Sequence, residues 1–303
     1  MNRPALFHSW TSVIGPWSLL LALALVFAGC RPATSSSVGP GTASHAVRGV
    51  IREFPTDGQS VVIRHEEIPG YMPKMTMTLT VRDTNELAGL REGDEVTFRL
   101  HVTDDNHWID GLVKTGQTNT PAEHQKPTRP LRADLRPGDL LPDFELLDEQ
   151  GRTVRLADFR GKALAFTFIF TRCPLPEFCP RMTKHFARTR NELLTRTNAP
   201  ANWQLLSLSF DPDFDSPAVL TRYAKSARGA NPDRWLFGVL GTNVLARLAP
   251  QVDLMLNREG GSISHNLRTV VVDTRGRIHR QFDGNDWTPE ELADAAIAAA
   301  QVP

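Results

Sequence analysis

The chain has 303 residues and lacks several sequence features, and each absence excludes a class of function. It has three cysteines, no internal repeat and no net charge, since 34 Lys and Arg balance 34 Asp and Glu. Because the charges balance, no overall field draws it towards nucleic acid, anionic lipid or an acidic substrate, and we expect no nucleic-acid partner. Its 41% hydrophobic and 22% charged residues are ordinary for globular protein, so we do not expect disorder along the whole chain.

A long apolar run is also missing. The apolar run at residues 19–28 is well short of the ~20 residues that span a bilayer, but its length suits the core of a secretory signal. Ala28 and Gly29 then precede Cys30, and the segment resembles the lipobox of bacterial lipoproteins. The resemblance implies a signal peptide at 1–30, lipidation of Cys30, and tethering to the bacterial membrane on its periplasmic or extracytoplasmic side. A plain cleaved signal is the alternative.

Two stretches without apolar periodicity divide the remaining chain. Residues 31–45 are rich in Ser, Pro and Gly and are predicted to form a flexible linker. Residues 117–137 place several prolines among polar residues and predict a second linker. Folded units are therefore expected at 46–116 and 138–303.

The two folded units differ in their patterns. The first has five short runs of alternating polar and apolar residues separated by turn residues, which predicts a small all-β, OB-like barrel of five antiparallel strands. The second unit mixes predicted strands and helices and closes with a hairpin and a last helix. This order predicts an α/β domain of the thioredoxin type. Its predicted elements are strands at 164–170 and 205–210, a helix at 180–195, a hairpin at 269–282 and a helix from 288.

The two remaining cysteines occupy positions with chemical consequences. Cys173 follows a predicted buried strand, and Cys179 precedes Pro180, which begins a predicted helix. The N-terminus of a helix stabilises a thiolate, so we expect a lowered pKa there. Two thiolates are soft donors suited to Cu(I), and a neutral imidazole could complete a three-coordinate site. From spacing and compartment alone, a structural disulfide, a metal-free redox dithiol and a metal site stay open.

From residue 139 onwards the second unit resembles the Sco/SenC family of thioredoxin-fold copper proteins. The resemblance implies that Cys173, Cys179 and His265 bind copper, as Cu(I) or Cu(II), and that the two cysteines can form a disulfide. It also assigns Asp211 to the family's Asp-Pro segment near the metal, although a turn residue is the plainer interpretation. An exposed loop histidine is the alternative for His265. The matching stretches are Gly138-Asp-Leu-Leu-Pro-Asp-Phe144, Leu156-Ala-Asp-Phe-Arg-Gly-Lys162, Phe170-Thr-Arg-Cys-Pro174, Cys179-Pro-Arg-Met182, Ser209-Phe-Asp-Pro212 and Ser264-His-Asn-Leu267.

The resemblance implies a copper metallochaperone. Family members are implicated in delivering copper to the Cu(A) centre of cytochrome c oxidase, or in reducing its cysteines, so subunit II is the expected partner. A thiol–disulfide oxidoreductase or peroxidase is the alternative, because Cys173 at a strand end is placed like the nucleophile of thioredoxin-fold redox enzymes. Copper sequestration or efflux support is a third. The chain has five residues between its cysteines, Pro174 and Pro176 among them, where the family has three. We therefore expect affinity and reduction potential to differ from the family's.

The first unit carries a second set of soft donors. Met75 and Met77 share one face of a predicted strand, and His65 precedes them by ten residues. Thioether sulfurs are soft and cannot titrate, which suits Cu(I). The segment 65–77 resembles the CusF-like periplasmic copper-binding domain, a five-stranded barrel, and implies copper ligands at His65, Met75 and Met77. Met72 stands where that group places a metal-covering Trp, and is a possible further donor. Simple packing of the methionines in a barrel core is the alternative.

Overall fold

The computed structural model describes residues 41–118, 135–231, 233–259 and 262–302. The predicted signal peptide with Cys30, the first linker up to residue 40 and the second linker between 119 and 134 lie outside these residues. No helix in the described ranges is both long and apolar enough to cross a membrane.

The first unit is one antiparallel sheet in the order β3-β2-β1-β4-β5. A parallel bridge between Val81 and Ile109 joins the two outer strands and closes the barrel in the order expected of an OB fold. The predicted five-stranded barrel is therefore confirmed. Its strands are β1 (Ala43–Glu53), β2 (Ser60–His65), β3 (Met75–Thr80), β4 (Asp94–Val102) and β5 (His107–Gln117), and a short 3-10 helix covers Thr84–Leu87.

Strand alternation determines what the barrel encloses. In β3 the side chains of Met75, Met77 and Leu79 are buried, and the threonines between them are not. These three join the other inward residues of the barrel, such as Ile51 and Ile63, in one apolar core. Burying a side chain of this size contributes about 1.5–3 kcal/mol, so the two methionines help to hold the barrel together.

The second unit is built on a seven-stranded sheet in the order β14-β13-β8-β9-β10-β6-β7. Its strands are β6 (Glu145–Asp148), β7 (Thr153–Arg155), β8 (Ala163–Ile169), β9 (Trp203–Ser209), β10 (Trp235–Val239), β13 (Arg268–Val272) and β14 (Ile278–Asp283), while β11 (Leu256–Glu259) and β12 (Ser262–His265) form a separate hairpin. Its helices are α1 (Cys179–Thr195), α2 (Pro217–Arg228), α3 (Thr242–Leu248) and α4 (Pro289–Ala300), with 3-10 turns at Leu156–Phe159 and Ala249–Val252.

The topology confirms a thioredoxin-like domain. Strands β8, β9 and β10 are parallel, whereas β13 runs antiparallel to β8 and pairs with β14 in the closing hairpin. Every residue of β8 and β9 is buried, as expected of parallel strands covered on both faces. Helix α4 begins with a capping box between Thr288 and Glu291, and packs against α1 and the central strands.

Ser216 is the N-cap of α2, since its hydroxyl accepts a hydrogen bond from the Val219 amide. The residue before it, Asp215, turns inwards and is fully buried. It is therefore free to hold the loop that follows β8, which carries Cys173.

Candidate metal centre

Three predicted ligands from distant parts of the sequence lie together in the thioredoxin-like domain. Cys173 follows β8, Cys179 opens α1 and His265 ends β12. Cys179 Sγ is 3.7 Å from His265 Nε2, and Cys173 is within hydrogen-bonding reach of both. The two cysteines are free thiols, so their disulfide stays a prediction. Across the described ranges, no three His, Cys, Asp or Glu side chains already form a group arranged to hold a metal ion.

The ring of His265 is held in one orientation. Its Nδ1 lies 2.7 Å from the carbonyl oxygen of Asn266 and donates to it, which leaves Nε2 facing the sulfurs. The rings of Phe170, Phe178 and Phe210 surround the imidazole, with centroids 4.7–6.1 Å away. His265 is half-buried, and is not the exposed loop residue of the alternative interpretation.

The two thiols differ in their acidity. A hydrogen bond from Cys179, supported by His265, lowers the pKa of Cys173 to about 5. Burial, together with the neighbouring Cys173, raises the pKa of Cys179 well above its ordinary value. The expectation of a lowered pKa at the start of helix α1 is therefore wrong, because complete burial outweighs the helix dipole there. One thiolate and one thiol occupy the site at neutral pH.

Two buried carboxylates, Asp215 and Asp211, hold the residues that precede Cys173. Asp215 accepts hydrogen bonds from the amide and hydroxyl of Thr171 and from the hydroxyl of Ser209. Asp211 pairs with Arg172 at 2.8 Å and with Arg258 at 3.2 Å. Asp211 is thus engaged by two guanidinium groups and positions the residue before Cys173. No sequence pattern predicts this role of Asp215, because its separation of 44 residues from Thr171 leaves no local signal.

The barrel brings the second donor set together. His65 lies directly opposite Met75 in the pairing of β2 with β3, and Met77 is the next inward residue of β3. His65 Nδ1 is 2.5 Å from the Glu66 carbonyl oxygen, and its buried Nε2 has no hydrogen-bond partner among the described residues. Burial lowers the pKa of His65, so the ring is neutral at pH 7. An unpartnered nitrogen beside two sulfurs fits a soft metal ion. Met72 is also buried in this core.

The loop between the two cysteines reaches the barrel at three points. The Tyr71 hydroxyl donates to the Pro174 carbonyl oxygen at 2.9 Å. Leu175 is buried within the apolar core of the barrel. Glu177 meets the Nδ1 of His107 through a carboxylate oxygen, and both side chains are nearly buried. No sequence pattern predicts these contacts, although the unusual length of the loop is a signal that the sequence shows. The longer loop is an attachment between the two domains.

Known proteins match both domains. The SCO1/SenC family model matches residues 132–301, and the model described as copper binding periplasmic protein CusF matches residues 44–114. The expected resemblances are therefore confirmed. The mitochondrial SCO2 homologues of cattle and human are 35% and 33% identical to this chain over 83 and 181 residues, or 27% and 57% of the chain. The matched regions span only 30% and 63% of those two relatives.

Solved structures are also similar to part of this chain. Yeast Sco1 with copper bound is 20% identical, with a TM-score of 0.46 over 55% of this chain and 90% of the yeast chain.

Proposed function

Because the chain belongs to the SCO1/SenC family, we propose that it is a metallochaperone that binds copper through Cys173, Cys179 and His265 and delivers it to cytochrome c oxidase. The observation that carries the proposal is the approach of two sulfurs and one imidazole nitrogen, from three separate elements, to a common position. Copper is the cargo of this site. Two cysteine sulfurs and an imidazole nitrogen form a soft donor set that favours Cu(I) over hard cations.

The barrel is proposed to bind a second Cu(I) through His65, Met75 and Met77. The unpartnered His65 Nε2 supports this assignment, since a buried nitrogen without a hydrogen bond carries a desolvation cost that a metal ion would offset. Met72, buried in the same core, is the candidate for a further sulfur ligand.

The acceptor and the location follow from the same proposal. The Cu(A) centre in subunit II of cytochrome c oxidase is the proposed acceptor. We also propose that Cys30 is lipidated and tethers the protein to the membrane on its extracytoplasmic side. The division into a signal at 1–30, linkers at 31–45 and 117–137 and domains at 46–116 and 138–303 stays part of this proposal.

An anaerobic Cu(I) titration of the reduced chain against a chromophoric chelator tests the two sites. We expect two bound Cu(I), of which Cys173→Ser/Cys179→Ser loses one and Met75→Leu/Met77→Leu loses the other. Met255→Leu is the matched control, because this exposed methionine belongs to neither site, and it should keep both. A cysteine variant that still binds two Cu(I) would contradict the assignment.

The low pKa of Cys173 favours a second candidate function, thiol–disulfide exchange. A thiolate beside a buried thiol is the arrangement that such enzymes use for nucleophilic attack. His265→Ala separates the two functions. Copper affinity at the cysteine site should fall by at least roughly tenfold, while reduction of a disulfide substrate should persist. Unchanged copper affinity together with persisting exchange activity would favour the oxidoreductase.

A further inference from the structure

Donors from both proposed copper sites line a single cavity. Met75 and Met77 of β3 line it on the side of the barrel, and Cys173 and His265 line it on the side of the thioredoxin-like domain. The cavity has a volume of about 90 Å³. Since liquid water occupies about 30 Å³ per molecule, this space admits an ion without its hydration shell.

We propose that this cavity is a transfer chamber, in which Cu(I) passes directly from the sulfurs of Met75 and Met77 to the Cys173 and His265 donors without release to solvent. The inference rests on the proposed copper binding at both sites. Cys173 packs against the core of the barrel as well as against that of its own domain, so it is the thiol that reaches the incoming ion.

The direction of transfer follows from the kind of ligand at each site. Thioethers are neutral donors, whereas cysteine binds a metal as the thiolate, whose negative charge attracts Cu(I). Bonds from copper to thioether sulfur break as bonds to Cys173 and His265 form, and copper stays Cu(I) throughout. A cysteine that joins as a thiol releases its proton to solvent as its bond to copper forms. No electron donor or acceptor is needed.

A substitution at Thr76 can obstruct the cavity without replacing a proposed ligand. It is half-buried on the outward face of β3 and lines the cavity. Thr80 lies on the same face of the strand, is exposed and does not line the cavity. Thr76→Phe should fill the cavity, and Thr80→Phe is its matched control.

The experiment uses the full chain, reduced and labelled with selenomethionine. One equivalent of Cu(I) is added, and samples frozen at successive times are studied by X-ray absorption at the copper and selenium edges. We expect a copper–selenium distance first, then its replacement by copper–sulfur distances at a rate that does not change on dilution of the protein. Thr76→Phe should slow this replacement by at least roughly tenfold, and Thr80→Phe should leave it unchanged.

Two outcomes would overturn the transfer chamber: a replacement rate proportional to protein concentration, or a wild-type rate in Thr76→Phe. Loading with two equivalents is the independent check. If the wild-type protein then lacks either copper–selenium or copper–sulfur distances, the proposed function itself has failed. Full loading with a concentration-dependent rate contradicts the chamber alone. If Thr76→Phe does not load fully, the dilution series of the wild-type chain still decides.

Discussion

The chemistry of Cys173 and Cys179 differs because their surroundings differ. Cys179 is completely buried at the start of α1, where no solvent stabilises a thiolate. Cys173 is half-buried and accepts the hydrogen bond that Cys179 donates. The negative charge therefore resides on Cys173, the sulfur that borders the cavity. Cys179 keeps its proton unless a metal ion displaces it.

This difference predicts the pH dependence of alkylation in the reduced, copper-free protein. Thiolate is the reactive form, so the rate at Cys173 should be level at neutral pH and fall as the pH drops through about 5. Iodoacetamide labelling followed by mass spectrometry of the two cysteine peptides measures this. Cys179 should react far more slowly at pH 7. A half-maximal rate at Cys173 near pH 8–9, the range of an ordinary thiol at about 8.5, would show that the hydrogen bond from Cys179 is absent.

At the same scale, the sequence predicted which ligand candidates would meet but not how each is held. The family motifs pointed to His265, which the structure places within 3.7 Å of Cys179. The aromatic rings that pack around His265 include those of Phe170 and Phe210, which are distant in the sequence. No local sequence pattern predicts these contacts. The sequence likewise did not predict which thiol is more acidic, because the burial of Cys179 depends on how the whole domain packs.

Among the elements, the loop from Cys173 to Cys179 has the most consequence. Two cysteines can form a disulfide across a shorter loop than this one. Three residues of the loop, Pro174, Leu175 and Glu177, contact the barrel. The departure from the family spacing therefore has a structural explanation, in addition to any effect on affinity.

Leu175 provides a test of this attachment. Leu175→Ala should destabilise the protein by about 2 kcal/mol or more, because a buried leucine is removed from the barrel core. Urea denaturation measures the loss, and faster hydrogen exchange in β3 would locate it in the barrel. Leu194→Ala is the matched control, since Leu194 is 55% exposed on α1 and its loss should stay within about 0.5 kcal/mol. Equal stability of both variants would contradict the attachment.

The predicted elements are confirmed where the apolar pattern was long and regular. Strand β8, helix α1 and the hairpin of β13 with β14 lie close to their predicted positions. The hairpin of β6 with β7 and the hairpin of β11 with β12 were missed. These are strands of only three or four residues, too short to show an alternation. The omission matters, since β12 carries His265.

For the whole molecule, the contact of His107 with Glu177 links the two domains through nearly buried polar groups. Removing one member leaves the other polar group buried without a partner, at a cost of about 1–3 kcal/mol. His107→Leu should therefore destabilise the chain, and His107→Leu/Glu177→Leu should recover most of the loss. Chemical denaturation of both single variants and the double variant measures the coupling. Additive losses would show that the two side chains act independently.

Both proposed copper sites lie in one polypeptide, which affects how fast copper can pass between them. In the proposed transfer the barrel is covalently tethered to the thioredoxin-like domain, so the local concentration of the copper donor around the acceptor is set by geometry and reaches roughly the millimolar range of tethered partners. Separate carriers would have to meet by diffusion, and their encounters would slow as either became scarce. Transfer within one chain would keep the same rate however few copies of the protein a cell holds.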